Sequence, residues 1–297
     1  MYEVALTVAA CLRAGTRVDV AWAVAADDAF GAWDRGEALA ITPGGGRVGG
    51  VLSGALNDQL VDLVARVDGG RLVDVEAADW EAQLHDLPRG GKARCLLMPA
   101  ADLPGDLWEL LRRREPVCLV TTLNGDMVDD VALYDRESVP ESIAALFNRG
   151  TSVSTVDGST VTTVLWPVPT LVIAGGGPIV DPLAAIAEAV GWRPQVVRQP
   201  SAATGLIAGL AQLDSVVVLG HDDDLTGPAL AAALDSPAGY IGSVGSRAMQ
   251  QSRADWLAYR GITDLDRIHG PAGLDIGAGS PAEIAVSIIA EAISVRP

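Results

Sequence analysis

The feature that most constrains this chain is an alternation that begins near residue 170. LVIAGGG (171–177) is an apolar run that ends in three glycines. LAAIAEAVG (183–191) follows with helical character and a glycine stop, then PQVVR (194–198) and SVVVLG (215–220) read as further strands. Helices are expected at 228–234, at 247–260 and from 281 onward. Short apolar strands separated by helices define βαβ units, which build a parallel sheet with right-handed crossovers. A ligand in such a sheet binds outside the carboxyl ends of the strands, so the glycine-rich turns are the first places to look.

The preceding half is different. A helix is expected at 3–14 and another at 55–67, where Leu56, Leu60, Leu63, Val64 and Val67 recur at helical spacing. A third helix is expected at 104–114. Strands are expected at 18–26, within 38–54 on either side of a glycine-rich turn, and at 71–76, 93–99, 116–122 and 127–134. Asn124-Gly125 supplies the positive φ values of a tight hairpin. Residues 148–170 are rich in Ser and Thr and close on Pro167 and Pro169, which reads as a stiff linker. The expected fold class is therefore α/β: an N-terminal α+β domain over 1–166 and a Rossmann-like parallel-sheet domain over 167–297.

Acidic residues outnumber basic ones 38 to 21 in 297 residues, for a net charge of −17. Nucleic-acid binding requires a basic field and docking on anionic membranes requires basic clusters, so neither is expected. An anionic ligand would have to be held locally, by helix N-termini and single arginines. Three widely spaced cysteines, Cys11, Cys95 and Cys118, form no disulfide framework and no metal-type pair, which fits a reducing cytoplasm. Residues 1–12 contain Glu3 and no basic stretch, so no secretion signal is expected there. No apolar run is long enough to span a membrane.

Two glycine turns carry the chemistry. Gly175-Gly176-Gly177 stands between a strand and a helix, where a dinucleotide fingerprint belongs. The third glycine of that fingerprint is replaced by Val180. Asp181 and Pro182 make a better helix start as N-cap and first residue. The second strand ends on Arg198 and Gln199 in place of a ribose-reading acid. That leaves a plain βα turn, a nicotinamide dinucleotide or another phosphate-bearing ligand open, and Arg198 suits the last. The second turn, Gly242-Ser243-Val244-Gly245-Ser246-Arg247, joins a strand to a helix. It reads either as a turn capped by Ser246 or as a phosphate cradle made of glycine amides, Ser243, Ser246 and Arg247. His221 and Asp222 end another strand and are candidates to face a ligand. Asp275 lies in a loop crowded with glycine (270–279), and Ser280-Pro281-Ala282-Glu283 after it is a capping box with proline at the first helical position. In the N-terminal half, Ser53-Gly54 opens a helix and reads equally as an anion cradle or a capped turn. No nucleophile elbow is present, and Cys118 reads as a core residue.

Taken together, "HDDDLTGPAL" (221–230), "YIGSVGSR" (240–247), "RIHGPAGLDIGAGSPAEIAVSIIAE" (267–291) and, more loosely, "GRVGGVLSGALNDQL" (46–60) resemble the XdhC/CoxF-type accessory family of xanthine dehydrogenases. The resemblance implies a protein that binds the molybdenum cofactor (molybdopterin), acts as its chaperone, promotes its sulfuration with a cysteine desulfurase and delivers it to a xanthine dehydrogenase-type molybdoenzyme. It implies a cytoplasmic homodimer and an accessory role without turnover of its own. The cofactor-binding residues it implies are Gly175, Gly177, His221, Asp222, Gly242, Ser243, Gly245, Ser246, Arg247 and Asp275, with no catalytic residue and no protein metal site. This chain departs from the family at Ser53-Gly54-Ala55-Leu56, where the family reads Ser-Gly-Gly-Cys, and at Pro178, Val180 and Arg198 around the first glycine turn. Two other readings stand beside it: an NAD(P)-dependent oxidoreductase with a degenerate Rossmann site, and a ligand-free scaffold that docks a partner.

Overall fold

The structure, a computed structural model, describes residues 1–66, 68–220 and 223–295. It divides into two units, Met1–Pro167 and Val168–Pro297, one residue beyond the boundary placed at 166/167 from the sequence.

The first unit is built on nine strands. Its elements are α1 (Tyr2–Arg13), β1 (Asp19–Ala26), β2 (Leu39–Ile41), β3 (Arg47–Gly49), α2 (Asn57–Val64), β4 (Arg71–Ala77), α3 (Asp79–Leu84), β5 (Gly91–Pro99), α4 (Leu107–Arg112), β6 (Val117–Asn124), β7 (Met127–Tyr134), α5 (Glu141–Phe147), β8 (Val153–Asp157) and β9 (Thr160–Leu165). The strand order is β3-β2-β1-β5-β4-β7-β6-β9-β8, and every pairing is antiparallel. β4 and β7 are joined at one pair, Arg71 opposite Met127, so the sheet has little to hold it flat there. Its halves fold face to face: buried Trp22 on β1 donates its indole N–H to Thr163 on β9 at 3.2 Å. The hairpin joins β6 to β7 where expected, but its two loop residues are Gly125 and Asp126: Asn124 pairs with Met127 at the end of β6, and the positive φ, +67, falls on Gly125 and not on Asn124.

The stretch 148–170, expected to be a linker, is largely the β8–β9 hairpin. Ser154, Thr155, Thr160, Thr162 and Thr163 are strand residues. Thr163 is fully buried and accepts from both Trp22 and the Ser154 hydroxyl, so its polarity is satisfied inside the core. Thr is β-branched and suits a pleated strand.

The second unit runs β10 (Thr170–Gly175), α6 (Val180–Ala189), β11 (Arg193–Val197), α7 (Pro200–Ile207), β12 (Ser215–Leu219), α8 (Asp223–Asp235), β13 (Tyr240–Ser243), α9 (Arg247–Ala258), β14 (Ile268–His269) and α10 (Pro281–Ser294). Its five strands are all parallel, in the order β11-β10-β12-β13-β14. Along the central strands alternate side chains serve opposite faces. Leu171, Ile173, Val217 and Leu219 pack with Leu183, Ala187, Ile288 and Ile289 of α6 and α10. Val172, Ala174, Val216 and Val218 pack with Ile207, Leu230, Ala233 and Leu257 of α7, α8 and α9. The sheet is covered on both faces, as a parallel sheet requires.

Two helix starts differ from expectation. α6 begins at Val180 after Ile179, with no side-chain cap. Asp181 is not the N-cap, and Pro182 fits because first-turn amides have no intrahelical partner to lose. α8 begins well before 228 and carries Pro228 inside it. The capping box of α10 is as expected: Ser280 Oγ accepts from the Glu283 amide at 3.3 Å, and the Glu283 carboxylate accepts from the Ser280 and Gly279 amides at 2.8 and 2.9 Å.

Candidate functional site

The register of the parallel sheet sets the site. Ala174 stands opposite Val197, Gly175 opposite Leu219, Val218 opposite Ser243 and Gly242 opposite His269. Extending β10–β11 and β12–β13 by one residue and β13–β14 by two, Arg198, Gly175, Leu219, Val244 and Pro271 leave the sheet at one level. Gly176, Gly220, Gly245 and Ala272 lie one step further out. The carboxyl ends thus form a flush shelf, with loops emerging about 4.8 Å apart.

The chain passes from β10 to β11 on one side and then returns to β12 on the other, so connections diverge between β10 and β12. That is the topological switch point, where an open α/β sheet has its ligand crevice. Glycine lines it from both sides. Gly175, Gly177 and Gly220 have φ values of +133, +125 and +103, a region that strains any side chain. A Cβ on Gly175 would collide with the Leu219 carbonyl, whereas one on Gly176 or Gly177 would meet nothing within 4 Å. The backbone is therefore bare and the space before it open. Arg198 lies level with Gly175 and is exposed; among the described residues it makes no hydrogen bond or ion pair. His221 and Asp222, expected at the same crevice, lie outside the described residues.

The loop after β13 divides by role. Gly242 and Ser243 belong to the strand and are buried. A Cβ on Gly242 would come within 2.9 Å of the Tyr240 ring and 3.1 Å of Ala272. The Ser243 hydroxyl is engaged with Gln250 Oε1 and accepts from Arg253 Nη1, both at 2.6 Å. Of these two residues expected to cradle a phosphate, Ser243 ties β13 to α9 and Gly242 packs against Tyr240 and Ala272. Ser246 caps α9, accepting from the Met249 amide at 3.4 Å. Gly245 stands on the shelf, and exposed Arg247 opens α9.

Arg253 is a residue the sequence reading missed. Only 3% exposed, it reaches from α9 beneath the shelf and donates to the carbonyls of Val244 and Gly220 at 2.9 and 2.8 Å. It fixes the two loops that flank the shelf's centre. Its one sequence signal is its spacing: ten residues after Ser243, it falls on the helix face turned to the sheet.

The glycine-crowded loop after β14 is organised by Glu291 of α10. Its carboxylate accepts from the Tyr240 hydroxyl at 2.6 Å and the Gly273 amide at 2.7 Å, and lies 3.3 Å from Nδ1 of His269. Burial, and then the Glu291 carboxylate, push the Tyr240 hydroxyl pKa up. Arg267 donates to the carbonyls of Leu234 and Ala238, closing the C-terminal end of α8. A Cβ on Gly273 would strike the Ser287 hydroxyl. Most of this loop's specification is thus structural. Asp275 is left exposed, flanked by Leu274 and Ile276, which are also exposed.

In the N-terminal unit, the Ser53 turn is already taken. Leu52, Ser53 and Gly54 are all left-handed, with φ +51, +55 and +100. The Ser53 amide donates to the Glu37 carboxylate at 3.0 Å, and the Ser53 carbonyl lies 2.9 Å from Nδ1 of His85. The anion at this turn is the protein's own. Cys95 and Cys118 are buried in β5 and β6, and burial pushes their thiols to about 12 and about 11. Both side chains pack in the core, and neither is poised as a free, reactive thiolate. Among the described residues no group of His, Cys, Asp or Glu is arranged to hold a metal ion, and no helix is long and apolar enough to cross a membrane.

Fold and crevice define a doubly wound domain of the Rossmann class, with its binding edge at the β10/β12 switch point. Residues 171–292 match the family model of the XdhC Rossmann domain. The C-terminal unit is thus similar to the XdhC Rossmann domain over 171–292, the part of the chain where the family resemblance read from the sequence is strongest. Over 70 residues the chain is 34% identical to the uncharacterized protein YqeB of Escherichia coli (strain K12), a match covering 23% of this chain and 13% of that protein. A crystal structure of a xanthine dehydrogenase from Bacillus halodurans is similar at TM-score 0.46 and 22% identity, covering 99% of this chain and 95% of that one.

Proposed function

We propose that this chain is an accessory factor for a xanthine dehydrogenase-type molybdoenzyme and that it holds the molybdenum cofactor on the shelf of its C-terminal unit. The observation that carries the reading is the juxtaposition of the bare Gly175–Gly177 turn with a free arginine, Arg198, at the switch point of a domain similar to the XdhC Rossmann domain. Backbone amides without side chains approach a phosphate closely, the N-terminus of α6 adds the positive end of its dipole, and Arg198 adds a forked cation. The residues therefore fit the phosphate-bearing end of a pterin cofactor. Gly220, whose added Cβ would meet nothing closer than 3.8 Å, leaves room along the shelf for the pterin body.

When bound, the cofactor supplies a molybdenum centre held by its own dithiolene sulfurs. The chain's contribution is to bind its anionic end and present it. Arg253 holds the floor in place. Exposed Asp275 would line the rim. Such a carrier works in the cytoplasm with a cysteine desulfurase that sulfurates the cargo and a molybdoenzyme that receives it, and a homodimer is the assembly proposed.

The test is retention of cofactor after anaerobic reconstitution and gel filtration, read by molybdenum content and pterin fluorescence. Wild type is expected to retain it. Gly176→Leu, whose side chain enters open space without backbone strain, and Arg198→Ala should each release it while keeping the circular dichroism of wild type. No retention by wild type, or equal retention by both variants, overturns the reading. Arg198 also favours a second reading, because an arginine at the end of the second strand accommodates a 2′-phosphate. An NADP(H)-dependent oxidoreductase would bind NADPH with micromolar affinity in a calorimetric titration and lose it in Arg198→Ala.

A further inference from the structure

A second concavity lies apart from the switch point, between α9 and the sheet edge. It encloses about 370 Å³, within the range of small-ligand pockets. One wall is a single face of α9: Arg247, Gln250, Gln251, Ala254 and Leu257 recur at helical spacing. The other is formed by Leu265, Ile268 of β14 and Gly270-Pro271, with Leu230 of α8 at the base.

Polarity is graded along this cleft. At the N-terminal end of α9 stands Arg247, exposed, with no hydrogen bond or ion pair among the described residues. The two glutamines come next, then Ala254, whose small side chain leaves the space open, then a floor of Leu230, Leu257, Leu265 and Ile268. Buried Arg253 places a second cation behind the same end. Among the described residues, no acidic side chain lines the cleft. In a chain of net charge −17, such a stretch of surface is the exception. The N-terminal end of the α9 dipole adds to the positive potential there.

We propose that this cleft is a binding site for a small amphiphilic carboxylate, with its head on the Arg247 guanidinium and its aliphatic body against half-buried Leu265 and Ile268, above buried Leu230 and Leu257. Charge complementarity selects an anion at one end only. A planar fork matches a carboxylate in two parallel hydrogen bonds. The aliphatic lining offers apolar burial and no aromatic ring on which to stack a base, so an acyl chain fits it better than a nucleotide does. The site stands independently of cofactor binding at the switch point.

The experiment uses the full chain and octanoate as probe, followed by chemical-shift perturbation and calorimetry. Octanoate should bind in one saturable step at millimolar concentration or below. Arg247→Gln, at an exposed position, should weaken it about tenfold, a loss of 1.4 kcal/mol. Ala254→Leu, which fills the middle of the cleft, should abolish binding with the circular dichroism spectrum unchanged. 1-Octanol, with the same chain and no charge, should bind at least about tenfold more weakly than octanoate. Gly176→Leu and Arg198→Ala should bind octanoate as wild type does, which separates this site from the crevice. Absence of saturation, equal binding of octanol, or unchanged binding in Arg247→Gln overturns the proposal.

Discussion

At the scale of single residues, the shelf depends on one buried cation. Arg253 satisfies two carbonyls from different loops and a hydroxyl from β13. Its removal leaves the half-buried Gly220 and Val244 carbonyls without this charged partner, and each hydrogen bond to a charged group contributes about 1.5–3 kcal/mol. Arg253→Met is therefore expected to lower unfolding free energy by about 2–4 kcal/mol, measured by urea denaturation. Arg253→Lys should recover only part of this, because an ammonium lacks the planar fork. The same reasoning explains what was hidden in the sequence. Arginine is the common cation of this chain, so nothing marked Arg253, while Ser243 stood in a glycine turn that reads as a cradle. Whether a serine hydroxyl faces a ligand or a neighbouring helix depends on which side of the strand its register assigns it to. A short strand flanked by glycines does not declare its register.

At the scale of elements, strongly periodic segments were legible and weakly patterned ones were not. LVIAGGG and SVVVLG could only be buried strands, and they are β10 and β12. α3, α5 and α7 span six to eight residues, no shorter than α2 and α4, but they lack the leucine spacing that marks 55–67 and the leucine-rich run of 107–111, and α7 carries Gly205 in its interior. Helix ends written in side-chain chemistry were the easiest to read, and α10 shows why. Its Ser280–Glu283 box satisfies amides that have no partner within the helix. Ser280→Ala should cost about 1 kcal/mol. The Ser280 and Gly279 amides, in that order, hold the Glu283 carboxyl below its usual pKa. A carboxyl whose pKa is lower in the folded state contributes stability above its unfolded pKa of about 4.3, and that contribution is lost as pH falls through the lowered folded value. Thermal melts of wild type should fall across that acid window more steeply than those of Glu283→Gln. A parallel pH dependence in the two proteins would show that the box carries no charge effect.

At the scale of the whole molecule, the two units rest on different kinds of pairing. Each also has its own core, with Trp22, Leu96 and Leu119 in clusters confined to the first unit, and Val172, Val217 and Ile288 in clusters confined to the second. The second unit has helices over both faces of its sheet, and its amino edge is closed by buried Asp214, whose carboxylate accepts from the Thr170 and Ala211 amides at 2.7 Å each. A chain of this size buries enough surface to fold alone. The fragment 168–297 is therefore expected to unfold in a single cooperative urea transition, monitored by far-ultraviolet circular dichroism. Its parallel ladder supplies the sharpest control. Gly175 ends β10 in a left-handed conformation directly against the Leu219 carbonyl of β12. A methyl group there must either push the two central strands apart or force a backbone that alanine avoids. Gly175→Ala should thus cost the fragment about 3 kcal/mol or more, the upper end for single substitutions, whereas Gly176→Ala, facing open space with an unstrained φ, should leave the midpoint within about 0.5 kcal/mol. Equal midpoints for the two variants would mean that the β10–β12 junction is not where this unit keeps its stability. A broad transition in the unsubstituted fragment would mean that the unit does not fold by itself.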